Sequence, residues 1–154
     1  MRDRMPPRRR PVTWPLALAL LAAPGCGSDE LSSPTAAKLR GLATLYLDYA
    51  VSNHGSGPAS EQVLKKHARG LPDFVVRANG VDPEALDAVF VSERDGEPFV
   101  VLYQIRLGRI SGTQAALIAH EKTGKNGKRL VVFANAKVEH VDDARLQELT
   151  SAKP

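Results

Sequence analysis

Apolar positions recur at helical spacing in the first half of this chain and in strand-like runs in the second. After Ser33 and Pro34, Leu39, Leu42, Leu45, Tyr46 and Tyr49 line one helical face, while Lys38, Arg40 and Asp48 point elsewhere. Ser33 can cap this helix and Pro34 suits its first position; Asn53-His54-Gly55 ends it, and Gly55 to Pro58 is a loop. Ser60 caps a second short helix through Val63 and Leu64, which stops at Gly70-Leu71-Pro72. Asp82-Pro83-Glu84 opens a third, with Leu86, Val89 and Phe90 as its buried side.

The strand-like half begins after the turn Arg94-Asp95-Gly96, with Pro98 to Tyr103 as the first strand. Ala115 to Glu121, Arg129 to Ala134 and Lys137 to Val141 read as three more. Between the second and third stands Asn126-Gly127, a dipeptide that tolerates the left-handed backbone of a two-residue hairpin loop. Asp142 then caps a closing helix carrying Ala144, Leu146 and Leu149. Helices first and a strand meander second predict an α+β fold. Its expected form is a long N-terminal helix packed on a small antiparallel sheet of three to four strands, with short helices between and a C-terminal helix.

Composition changes this picture at the N-terminus. The 154 residues carry a formal net charge of +4, but the first 25 hold five of the 21 basic and one of the 17 acidic residues. The remainder carries 16 of each and has no excess charge with which to seek a phosphate backbone, so no nucleic-acid partner is expected. Residues 1–25 have the parts of a secretory signal: Arg2 to Arg10, an apolar run from Val12 to Ala23, and small residues before Cys26. The apolar run falls short of the roughly 20 residues that a helix needs to cross a bilayer. Arg9-Arg10 admits a twin-arginine export route, although Pro11-Val12-Thr13 continues that signal poorly.

Cys26 is the only cysteine, so no internal disulfide can form. Leu21-Ala22-Ala23-Pro24-Gly25-Cys26 resembles the bacterial lipoprotein signal, with Ala23 in place of the commoner Leu and an unusual Pro24. The resemblance implies cleavage before Cys26, lipidation of its thiol and anchoring in the cell envelope, in the outer membrane if the host has one. Residues 26–34 then serve as a lipidated tether, and 35–154 as one domain.

Leu39 to Pro58, and Ile118 to Val141 with His120-Glu121-Lys122-Thr123-Gly124 and Lys128 to Ala134, resemble the globular part of type IV pilin-like proteins, especially the pseudopilin-like proteins of planctomycetes. The resemblance implies a pilin-type fold. The pilin signal and its long apolar assembly helix are not present, which points to a pilin-type head on a lipid anchor.

Candidate chemistry is sparse. His54 and His67 read as solvated surface residues; His120-Glu121 and Glu139-His140 sit on strands, where neighbours face opposite sides. Cross-strand polar pairing on an open face is the expectation for them, with a small envelope hydrolase or metal-binding protein using His120 or His140 as the rival. Asp95-Gly96-Glu97 lacks the alternating oxygen ligands of a calcium loop. No Gly-x-Ser-x-Gly, phosphate-binding Gly-x-x-x-x-Gly-Lys or His-Glu-x-x-His motif occurs, and Ser111-Gly112 resembles a nucleophile turn only superficially. Arg106, Arg109, Lys122, Lys125, Lys128 and Arg129 make the loops around the sheet basic, with Glu93, Glu97 and Glu121 expected beside them on a solvated surface. No cofactor, metal or catalytic residue is expected. The expected function is that of a lipid-anchored, non-catalytic interaction or scaffold domain, with Lys137, Glu139 and His140 on the last strand as the candidate surface for an envelope protein partner. A pseudopilin-related assembly subunit is a further alternative.

Overall fold

The structure, a computed structural model, describes residues 28–107 and 115–151. The expected signal segment, Cys26, Arg109 and Ser111-Gly112 lie outside the described residues. The chain folds as helices α1 (Ser28–Leu31), α2 (Pro34–Ser52), α3 (Glu61–Gly70) and α4 (Asp73–Ala78), followed by a 3₁₀ segment, Pro83–Phe90. Strands β1 (Val100–Val101), β2 (Leu117–His120), β3 (Arg129–Phe133) and β4 (Val138–Val141) and helix α5 (Asp143–Ser151) complete it. The four strands pair in sequence order and all antiparallel, so the expected mixture of helices with an antiparallel sheet is what the chain forms.

Local chemistry fixes the helix starts. The Ser33 hydroxyl accepts the Ala36 N–H, the Ser60 hydroxyl that of Val63, and the Asp82 carboxylate that of Glu84. α2 is the centre of the packing: Leu39, Leu42, Leu45 and Tyr46 are fully buried between the sheet on one side and the 3₁₀ segment and α3 on the other. Burial also reaches Gly41, which lies against Val81, so the buried arc is wider than the stripe of Leu and Tyr alone.

Three differences from expectation matter for the site. α4 has no counterpart in the sequence pattern: Phe74 is exposed and only Val76 of its six residues is buried. β1 is two residues long, because after the Leu102 N–H bond to Ile118 O the chain leaves the sheet and pairs with the 55–58 loop through Gly57 N–H to Ile105 O and Leu107 N–H to Gly55 O. Residues 28–31, within the expected tether, form a helical turn whose Leu31 packs on the core. The folded body therefore begins close behind Cys26. None of the described helices is long and apolar enough to cross a membrane.

The sheet is covered on both faces. Ile118, Leu130, Val132 and Val138 join the core under α2, whereas Leu117, Val131 and Val141 cluster with Leu146 of α5. β2 accordingly reads as a continuous buried run rather than an alternation.

Candidate functional site

Strand register decides which polar residues can meet. His120 pairs with Val131 and Val131 with Glu139, so these three share the α5 face. Leu130 pairs with His140, which puts His140 on the opposite face, toward α2. The two imidazoles are thus separated by the thickness of the sheet. Of the candidate partner residues, Lys137 and Glu139 form an ion pair, while His140 turns away from both and lies against Glu30 of α1.

His120 and Glu121 do not lie on an open face, and this corrects the sequence expectation. His120 is 8% exposed and Glu121 fully buried. The physical reason is that α5 covers one face, while α1, α2 and the Ser92–Asp95 turn cover the end of the other. Glu121 follows β2 directly, and its main chain donates to Leu130 O. Its carboxylate then takes the place of a strand carbonyl: Oε2 accepts Leu130 N–H at 2.8 Å and Oε1 accepts the Ser92 hydroxyl at 2.9 Å.

Around this carboxylate gathers a charged cluster. Arg94 Nη1 lies 3.4 Å from Glu121 Oε2 and 3.8 Å from Glu30 Oε2. The same Glu30 oxygen is 3.2 Å from His140 Nε2. Neither His140 nitrogen, nor Arg94 Nε or Nη1, has an aligned hydrogen-bond partner among the described residues. Arg94 Nη2 reaches the carbonyls of Lys125 and Lys128 at 3.5 Å each, and so ties the 121–130 hairpin to α1. Asp95 holds the same hairpin from the side, its Oδ2 accepting Thr123 N–H at 3.1 Å and Gly124 N–H at 2.8 Å. The Arg94-Asp95-Gly96 turn thus clamps the hairpin through its side chains. The sequence signal was a turn flanked by both charges; its target, about 30 residues downstream, is set only by the folded chain.

Two of these groups titrate away from their ordinary values. Burial lowers the His120 imidazole, against the bond from its Nδ1–H to Glu121 O, and the Arg129 guanidinium acts in the same direction as burial. Desolvation pushes the Asp95 carboxyl up, but the N–H groups of Gly124, Glu97 and Thr123 together hold it below its usual range. A folded value below the unfolded one gives stability that is present above the unfolded pKa and lost as pH falls. We therefore expect the urea midpoint to fall as pH drops below about 6.5, through His120, and again below about 3.9, through Asp95. His120→Gln should remove the upper step alone; a wild-type midpoint flat from about pH 6.5 to about pH 4 would refute the assignment.

His67, expected on the solvated surface, is instead half-buried and paired. His67 Nε2 lies 2.7 Å from Asp48 Oδ2, and the Tyr49 ring meets the imidazole edge-on with centroids 5.2 Å apart. Helical spacing brings Asp48 and Tyr49 of α2 to the same neighbour on α3, and the pair clips the two helices together. Beside it runs an open groove of about 480 Å³, lined by Tyr49, Asn53, Val63, Lys66, His67 and Leu71. No serine, threonine or cysteine is among its described lining residues, so the oriented imidazole has no hydroxyl or thiol to activate there. His54 is exposed in the turn after α2, as expected. Among the described residues, no three His, Cys, Asp or Glu side chains are grouped so as to hold a metal ion.

Fold and cluster together define a small mixed helix–sheet domain whose buried charges lock a hairpin beside its first helical turn. Comparison with protein-family models, with curated proteins and with solved structures finds no match.

Proposed function

We propose that this chain is a lipid-anchored envelope protein whose domain works as a non-catalytic interaction or scaffold module. The observation that carries the reading is the closeness of body to anchor: Glu30, whose carboxylate already meets Arg94 and His140, stands only four places after Cys26. Four residues span at most about 14 Å. A domain so tethered works at the membrane surface and meets partners there. The use of the polar groups supports the non-catalytic part. Glu121 and Asp95 spend their carboxylates on backbone N–H groups, and the imidazoles of His120 and His140 lie on opposite faces. That separation weighs against a hydrolase or metal site that uses both imidazoles at once.

The partner surface in this reading is the outer edge of β4. Among the described residues the strand pairs only with β3, and its Val138 and His140 main-chain groups point outward, since Lys137 and Glu139 are the residues that turn theirs to β3. An added strand could dock there, with the Lys137–Glu139 pair beside it. The finer fold reading is a pilin-type head, supported by the packing of α2 on β2 and β3.

The test is membrane fractionation with crosslinking in cells. Cys26→Ser should move the protein out of the membrane fraction and abolish any specific crosslinked partner. Unchanged membrane association of that variant would overturn the anchor.

A further inference from the structure

The hairpin clamped by Arg94 and Asp95 ends in a tip with an unusual charge arrangement. Lys125 and Lys128 exchange both main-chain hydrogen bonds, N–H to O at 2.9 and 3.0 Å, across Asn126-Gly127, whose φ values of 54° and 70° are those of a two-residue type I′ loop. Directly opposed residues of such a pair project side by side on one face, and like charges so placed repel. The neighbouring cations are neutralised: Lys122 by Glu97 at 3.1 Å and Arg129 by Asp143 at 2.8 Å. So are the nearby acids, Glu93 by Lys38 at 2.8 Å and Asp95 by its N–H donors. Lys125 and Lys128 are exposed and have no carboxylate partner among the described residues. The twin lysines are therefore an uncompensated charge held in place by a rigid base.

The position of that base names the occupant. Arg94 touches the Lys125 and Lys128 carbonyls with one nitrogen and approaches Glu30 with the other, so the hairpin stands within one guanidinium of the residue four places after Cys26. We propose that the hairpin tip is a second membrane contact, with Lys125 and Lys128 binding the phosphates of anionic phospholipids beside the lipid anchor. The proposal rests on the anchored reading above. A lipid chain plus a basic patch fixes orientation as well as attachment. Held this way, the hairpin faces the bilayer, and rotation of the body about its short tether is restricted.

The test uses the lipidated full protein from membranes, reconstituted on vesicles of phosphatidylcholine alone or of phosphatidylcholine and phosphatidylglycerol in equal parts. Lysine acylation by a membrane-impermeant reagent is followed residue by residue by mass spectrometry. Lys125 and Lys128 should react about fivefold more slowly on the anionic vesicles, the ratio expected from about 1 kcal/mol per lysine at such a surface, and high salt should abolish the difference. Lys137, on the far hairpin, should be unaffected, and in Lys125→Gln the protection of Lys128 should weaken. Equal rates on both vesicles, with the protein floating on both, would overturn the hairpin contact and leave the anchor standing. Protection on phosphatidylcholine by added inorganic phosphate would make the tip a free-anion site and overturn it too. Flotation on anionic vesicles alone would reject the anchor while supporting the contact, and flotation on neither would reject both.

Discussion

Glu121→Ala is expected to lower the stability of the domain by about 3–5 kcal/mol, the cost typical of removing one member of a buried charge pair. The carboxylate is fully buried and serves three groups. Without it, the Leu130 N–H loses its acceptor, the Ser92 hydroxyl loses its own, and the Arg94 guanidinium is left with the more distant Glu30. Arg94 cannot simply turn to water, since its side chain is only 9% exposed. The measurement is a urea midpoint at neutral pH, with the slope of unfolding unchanged. Glu121→Gln should cost less, because an amide oxygen can still accept from Leu130. The double variant Glu121→Leu with Arg94→Leu should recover part of the loss, since both charges leave together; what remains is the orphaned Leu130 N–H and Ser92 hydroxyl, about 1–3 kcal/mol each. A loss below about 1 kcal/mol in Glu121→Ala would show that water replaces the carboxylate and that the cluster is not a closed one.

Glu121 also shows where sequence reasoning stops. Signals that act over three or four residues were legible: the Ser33, Ser60 and Asp82 caps and the Asn126-Gly127 loop stand where side-chain chemistry predicts them. The strand order followed from these turns. Side-chain facing did not, because the alternation that would reveal it is absent from a sheet covered on both sides. β2 is buried at each of its four positions, so nothing in Leu117–His120 tells one face from the other. The pairs that build the cluster are longer-range still. Arg94 and Glu121 are 27 residues apart, and alone the one reads as a turn charge and the other as a strand-end charge on a solvated surface. Likewise His67 and Asp48 meet only because α3 crosses the end of α2. α4 leaves no sequence signal for the opposite reason: with Phe74 exposed, its six residues carry no amphipathic stripe.

Gly57→Ala is the second substitution with a large expected cost, and here the reason is a lack of room. A Cβ on Gly57 would stand 2.0 Å from the Tyr46 hydroxyl oxygen and 2.6 Å from its ring carbon. Tyr46 cannot retreat: it is fully buried in α2, and its hydroxyl donates to Leu102 O at 3.0 Å. Nor can Gly57, whose N–H is bound to Ile105 O at 2.8 Å, with Gln104 N–H on the next carbonyl, that of Pro58. The methyl group must therefore push apart the 55–58 and 104–107 segments or displace the tyrosine. Overpacking of this kind costs about 1–3 kcal/mol, and losing the tyrosine's bond to a buried carbonyl adds about another 1 kcal/mol. The cause can be isolated by a second change. Tyr46→Phe removes the oxygen that the methyl group meets first, at the price of the Leu102 bond alone, about 1 kcal/mol. If the clash is the cause, Gly57→Ala costs clearly less in the Tyr46→Phe background than in the wild type, and the two losses fall short of their sum. Losses that add to within about 0.5 kcal/mol would place the cost of Gly57→Ala in the backbone of the loop instead.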